Sequence, residues 1–236
     1  MLRRCCPPTG MGTATPPRKS GLVVFCAEHG FCGGFNGHPL RASEMAIEQN
    51  RESVMLIAVG SRGGQICREH GLRPDLVLPM AAHCAGVTAA ARRVAAELYR
   101  MFSTNQVGSV EVIYTQQAGT PFAHVEHHRL LPLEVPVADR RWERVRPIIN
   151  VSPRRLFDDM MGEYFFATLE NAAMQSFFSE NSTRFRAMEA AYRNIQNKSA
   201  DLIAVSRRLR QEAVTTEILD LISGSEALSS RLNSSR

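Results

Sequence analysis

Between Ser152 and Gly224 the chain carries one proline, Pro153, and one internal glycine, Gly162. Backbone with so few breakers settles into a single helix, which at 1.5 Å per residue would run on the order of 100 Å. That is several times the diameter of a small globular domain, so part of the helix must lie beyond any core the chain can build. Ser152 is placed to cap the free amide donors, Pro153 suits the first helical position, and Asp158 and Asp159 lie close to the positive end of the helix. Gly224 is the expected stop.

Within this stretch Met188, Ile195, Leu202 and Leu209 recur every seven residues, and the positions four further on are Tyr192, Ser199, Ser206 and Ala213. A seam this narrow, with small residues on one row, predicts close packing against another helix; a globular surface helix carries a broader apolar stripe. The alternative is a helix folded back on itself as a hairpin, bent at Gly162 or over Ser179 to Ser182. Uncapped helices of this length are more often coiled coils or repeats.

With 236 residues, 44% of them apolar, the chain can bury a core in one or two domains. A net charge of +5 is too mild to argue for nucleic acid by itself. No apolar run reaches membrane-spanning length, and Met1 to Ser20 has arginines and prolines where a secretory signal would need an apolar segment. The six cysteines lack the spacing of a disulfide framework and read as reduced thiols of a cytoplasm-like compartment.

Taken in order, residues 1–20 form a basic, Pro-rich segment expected to be disordered. Gly21 to Ala27 is an apolar, β-branched run with the signature of a buried strand, followed by a glycine-rich turn at Gly30 to Gly37 and a helix over Leu40 to Asn50. Ser53 to Val59 is a second buried strand, with a second glycine-rich turn, Gly60 to Gly64, and a short helix from Gln65 to His70. Asp75 to Leu78 is a weak third strand, Val87 to Phe102 a helix, and Ser109 to Tyr114 a strand that could pair with Phe122 to Leu131. Strands alternating with helices predict an α/β domain over 21–150, a Rossmann-like, mostly parallel sheet with flanking helices. The very long helix then fills 151–228 and a disordered tail 229–236.

Several features invite chemistry. Gly30, Gly33, Gly34 and Gly37 sit where a dinucleotide-binding loop would be, but their GxxGGxxG spacing is neither GxGxxG nor a phosphate loop, and Glu48 and Glu52 follow a helix where a ribose-binding acid should end a strand. Positive φ and close backbone approach explain the glycines more simply. Cys26, His29 and Cys32 lack a second ligand pair for zinc, and on a strand His124 and His128 share a face that His127 does not. No local signature joins a cysteine nucleophile to a histidine base. Arg140, Arg141, Arg144 and Arg146 around Trp142 could stack on nucleic acid, but a solvated linker has the same composition. No catalytic, metal or cofactor site is expected.

Two stretches carry a family resemblance. VVFCAEHGFCGGFN is similar to the first strand and turn of the gamma subunit of F-type ATP synthase, close to SDRGLCGGLN in the family. RQEAVTTEILDLISG resembles the family's RQxxITxELxEIVxG: Arg210, Gln211, Thr215, Glu217 and Gly224 are identical, and Val214, Ile218, Asp220, Leu221 and Ile222 are close replacements. Ser152 to Leu156 stands where the family has a Ser-Pro opening to its C-terminal helix, so the resemblance covers about Gly21 to Leu228.

It implies a non-catalytic rotor. In the family the C-terminal helix is half of an antiparallel coiled coil with an N-terminal helix, inside the ring of alpha and beta subunits. The α/β domain touches the epsilon subunit and the c-subunit ring, and membrane association is through the complex only, on the cytoplasmic face of a bacterial inner membrane. Rotation couples proton or sodium flow to ATP synthesis. By position, Arg210, Gln211, Thr215 and Glu217 are the expected subunit contacts, and Met188, Tyr192, Ile195, Leu202 and Leu209 the coiled-coil seam. The departures are Glu28 and His29 for the family's Asp-Arg, Arg207 for its common Asn, and a start, Met1 to Ser20, whose four prolines keep it from standing in for the N-terminal helix. Two other classes remain open: a nucleotide-dependent α/β enzyme with a helical dimerisation arm and a ligand at Gly30 to Gly37, and a nucleic-acid-binding coiled coil using Arg207, Arg208 and Arg210.

Overall fold

The computed structural model describes residues 19–50, 53–117, 124–132 and 150–234, with the side chains of α4 (below) described as far as Ser225. The first 18 residues, the run 118–123 that holds Phe122, the cluster around Trp142 and the last two residues lie outside the described residues. The elements are β1 (Lys19–Phe25), α1 (Gly37–Gln49), β2 (Val54–Val59), α2 (Ser61–Glu69), β3 (Leu76–Leu78), a short 3-10 turn at Cys84–Gly86, α3 (Val87–Ser103), β4 (Val107–Gln116), β5 (His124–Leu131) and α4 (Pro153–Ser234). The strands form one sheet in the order β3-β2-β1-β4-β5. Pairing is parallel across β3, β2, β1 and β4, with β5 antiparallel on the edge beside β4. The expected Rossmann-like, parallel-dominated sheet with flanking helices and a very long terminal helix is therefore the observed fold.

The unbroken apolar run of β1 from Leu22 to Phe25 has a simple cause: both faces of the strand are covered there. Val23 and Phe25 point to one side, into a core with Val87, Ala91, Val94 and Leu98 of α3 and Leu169, Ala172 and Ala173 of α4. Leu22, Val24 and Cys26 point to the other, against Leu40 and Ala46 of α1 and Cys67 of α2. Each large apolar side chain so buried contributes about 1.5–3 kcal/mol.

The second glycine-rich stretch is not a turn, as expected, but mostly helix. Only Gly60 turns, at φ +123°, where a Cβ would lie 2.4 Å from the carbonyl oxygen of Cys26. Gly63 and Gly64 already belong to α2, and they let it approach the sheet: a Cβ on Gly63 would lie 1.9 Å from Cys26 Cβ, and one on Gly64 2.7 Å from Val77. Close backbone approach thus belongs to this stretch, since Gly30, Gly34 and Gly37 face open space.

Helix α4 opens as expected, with Ser152 Oγ accepting from the Arg155 amide at 3.4 Å and Ser152 O from the Leu156 amide at 3.0 Å. It runs without a break through Gly162 and 179–182, where a bend was the alternative, and through Gly224 to Ser234. The expected stop at Gly224 is not one: an interior glycine costs about 1 kcal/mol relative to alanine, too little to end a helix with favourable turns on both sides. The chain divides into two compact units, the first ending at Phe185 and the second running from Arg186. Residues of α4 from Phe165 to Phe177 pack into the core of the α/β unit. Among the described residues no helix is long and apolar enough to cross a membrane.

Candidate functional site

The part of α4 in the first unit has one buried face. Leu169, Ala172, Ala173, Ser176, Ser179 and Glu180 are spaced three or four apart or adjacent, so they line one side of a helix, and all are buried. Small residues along this stripe bring the helix close to the sheet. Polar contacts flank it: Ser179 Oγ donates to Thr115 O at 3.0 Å at the end of β4, and Thr88 Oγ1 of α3 donates to Glu170 Oε1 at 2.6 Å. The Arg92 guanidinium stands 5.7 Å from the ring centre of Phe166.

At the carboxyl ends of the strands, Glu28 ties three elements together. Its Oε2 accepts from the amides of Ser61 at 2.9 Å and Met80 at 2.7 Å, and its Oε1 from the Ser61 hydroxyl at 2.7 Å. Burial alone would raise the Glu28 carboxyl, but the bonds from Ser61 and Met80 outweigh it and hold the group below the usual carboxylate range. The Glu28 amide in turn donates to Glu180 Oε2 at 3.4 Å; Glu180 pairs with Arg184, whose Nε donates to Gly30 O at 3.4 Å and whose Nη1 reaches Asn181 Oδ1 at 2.7 Å.

The sheet order places its switch point between β1 and β4, where doubly wound folds hold their ligands. Here Ser179, Glu180 and Arg184 occupy the carboxyl ends of those strands. The glycine-rich turn beyond them has Phe31 at φ +58° and Gly33 at +55°. An open cleft of about 540 Å³ beside it is lined by Phe31, Cys32, Asn36, Arg62 and Ile66 among others, with Asn36 Oδ1 already accepting from the Ala27 amide at 2.8 Å and Arg62 bonded to Gln65 at 2.9 Å. This arrangement does not favour a nucleotide site.

The other chemical candidates do not converge. Cys26 is buried against Cys67, whose hydrogen bond together with burial pushes the Cys26 thiol up; burial pushes Cys32 up as well, and His29 is exposed. Raised thiols oppose a nucleophile. On β5, His124 and His128 flank Glu126 at 3.1 and 3.5 Å, while His127 turns to Glu111 on β4 at 2.8 Å, as period two requires. Among the described residues no group of three His, Cys, Asp or Glu is placed to hold a metal. Sequence reasoning missed Glu111 and Glu180, which meet His127 and the Glu28 amide on other elements, and Glu126, which sits between His124 and His128 on one face of β5.

In the second unit every residue from Met188 to Ser225 is exposed. The seam residues Met188, Tyr192, Ile195, Leu202 and Leu209 are between 47% and 69% exposed, and Arg210, Gln211, Thr215 and Glu217 are exposed just beyond them. Ile203, Val205, Val214 and Ile218 are also exposed, so the apolar surface is wider than the heptad rows alone. Arg193 pairs with Glu189 and Arg208 with Glu212, each four residues apart and each worth only about 0.3–0.5 kcal/mol. Continuous apolar surface on this scale marks an interaction site.

Known proteins share both the sequence and the fold. A family model described as ATP synthase matches residues 7–228. The ATP synthase gamma chain of Clostridium botulinum (strain Kyoto / Type A2) is 27% identical over 210 residues, 89% of this chain and 73% of that relative. That of Symbiobacterium thermophilum is 28% identical over 207 residues, 87% and 71% of the two chains. The fold is similar to a chain of the Euglena gracilis mitochondrial ATP synthase, OSCP/F1/c-ring in rotational state 3, at TM-score 0.65 and 15% identity, covering 89% of this chain and 73% of that one. A chain of the Tetrahymena thermophila mitochondrial ATP synthase central stalk and c-ring gives TM-score 0.55 at 22% identity, covering 76% and 79%. A long helix rooted in a Rossmann-like domain, the closing RQ…G motif and a family match over nearly the whole length have one source: this chain belongs to the ATP synthase gamma-chain family.

Proposed function

We propose that the chain is the non-catalytic rotor of an F-type ATP synthase, coupling proton or sodium flow to ATP synthesis or hydrolysis. The observation that carries it is α4: one helix of 82 residues, held in an α/β unit by its stretch from Phe165 to Arg184 and exposed, with an apolar seam, from Met188 to Ser225. The seam at Met188, Tyr192, Ile195, Leu202 and Leu209 takes a partner helix, and Arg210, Gln211, Thr215 and Glu217 meet the beta subunits. The α/β unit meets the epsilon subunit and the c-subunit ring, and reaches the membrane through them. A shaft needs length, stiffness and asymmetric surfaces, and a closed switch-point crevice suits it where a pocket would not.

Mixing the chain with alpha and beta subunits tests this. A stoichiometric complex whose ATP hydrolysis depends on the chain is expected; a compact soluble monomer that leaves alpha and beta unassembled, or that is stabilised specifically by nucleotides in a thermal-shift measurement, would overturn it.

A further inference from the structure

A rotor has to pass torque between its helix and its α/β domain, and the interface that holds α4 in the first unit is an uneven one. Its apolar part centres on Leu169, Ala172 and Ala173, with Phe165, Phe166 and Phe177 packed against the same core, and burial of such surface is non-directional. Directional resistance has to come from hydrogen bonds, whose strength falls steeply with angle. Toward the end of the buried stretch such contacts are made by Ser179, which donates to Thr115 O, and by Glu180 and Arg184. Glu180, only 3% exposed, accepts from the Glu28 amide at 3.4 Å, and Arg184 donates to Gly30 O at 3.4 Å while paired to Glu180. Glu28 is itself bound to Ser61 and Met80, so the pair grips backbone that is anchored to the start of α2 and to the segment that follows β3.

We infer that the Glu180–Arg184 pair is the torsional lock of the rotor, holding α4 in angular register against the Glu28–Gly30 backbone so that twist of the helix is passed to the α/β unit. The inference rests on the rotor reading above. Glu180 and Arg184 are positioning residues: they act through the helix they hold.

The test uses the assembled membrane complex and measures ions transported per ATP hydrolysed. Glu180→Gln keeps the shape and removes the charge; it is expected to lower this ratio at least threefold in intact complexes. Leu169→Ala, which weakens the same interface without touching the lock, is expected to lower the melting temperature and leave the ratio unchanged. Arg184→Lys retains the ion pair but loses the Nε donor to Gly30, and lowers the ratio even if the Glu180 variant fails to assemble. A double reversal, Glu180→Arg with Arg184→Glu, restores the pair but sets a cation against the Glu28 amide, and does not restore coupling. Wild-type coupling in both Glu180→Gln and Arg184→Lys, or an equal loss in Leu169→Ala, overturns the lock while the rotor reading stands. A wild-type complex with no ATP-driven transport overturns both.

Discussion

A Cβ on Gly63 would lie 1.9 Å from the Cβ of Cys26, closer than any two such atoms can stand. Helix α2 and the residue that follows β1 are therefore in contact at a point where only glycine fits. Gly63→Ala gains helix propensity but must push α2 off the sheet, and a net loss of about 2–3 kcal/mol is expected. Gly162 is the contrast, helical and exposed with open space around its Cβ position. There Gly162→Ala gains about 0.5–1 kcal/mol. Denaturant melts of the two variants, with opposite shifts in midpoint, check both.

Glu28 has a carboxyl held below its ordinary range by Ser61 and Met80. A group whose folded value is depressed contributes stability above its unfolded value, and that contribution is lost as pH falls through the folded one. Thermal stability is therefore expected to decline on the acid side of the carboxylate range, more steeply in wild type than in Glu28→Gln. Near neutral pH the Gln variant should be about 1–2 kcal/mol less stable, because its amide cannot accept all three bonds. Melting curves from pH 3 to pH 7 decide it; parallel profiles would sink the assignment.

Leu169 and Leu202 lie on one helix but in opposite surroundings, 0% and 69% exposed. Leu169→Ala is expected to cost about 2–5 kcal/mol in the isolated chain, and Leu202→Ala within about 0.5 kcal/mol of nothing. In the assembled complex the second variant should weaken binding of the chain, read as faster dissociation from alpha and beta subunits.

Gln211→Ala and Glu217→Ala remove exposed polar groups with no structural duty in the first unit. Circular dichroism and melting of the isolated chain should be unchanged within about 0.5 kcal/mol, while chain-dependent ATP hydrolysis by alpha and beta falls severalfold. Unchanged hydrolysis would remove these residues from the contact surface.

Much of the molecule was legible because its signals are local. Apolar runs of β-branched residues located β1 and β2, the alternation of elements gave a parallel-dominated sheet, and a breaker-free stretch gave α4. The RQ…G motif is contiguous, so family membership was readable there as well. The candidate site was half legible. The seam from Met188 to Leu209 has a fixed period and could be read; the face from Leu169 to Glu180 could not, since it continues the same helix and its partners are far away in sequence. Ser179 bonds 64 residues back to Thr115, Thr88 reaches 82 residues forward to Glu170, and the Glu28 amide meets Glu180 across 152 residues. Gly60 to Gly64 looked like a turn because glycine is a turn signal, but Gly63 and Gly64 belong to α2 and are glycines because the sheet beneath them leaves no room for a Cβ.

By itself, then, the amino-acid sequence determined the elements, the class of fold and the family, all of which rest on periodicity, breaker residues and contiguous motifs. Tertiary structure decided where α4 stops being core and becomes free surface, and which polar groups hold it there. Those outcomes depend on which side chains meet across a sheet, a matter of long-range packing that no local pattern records.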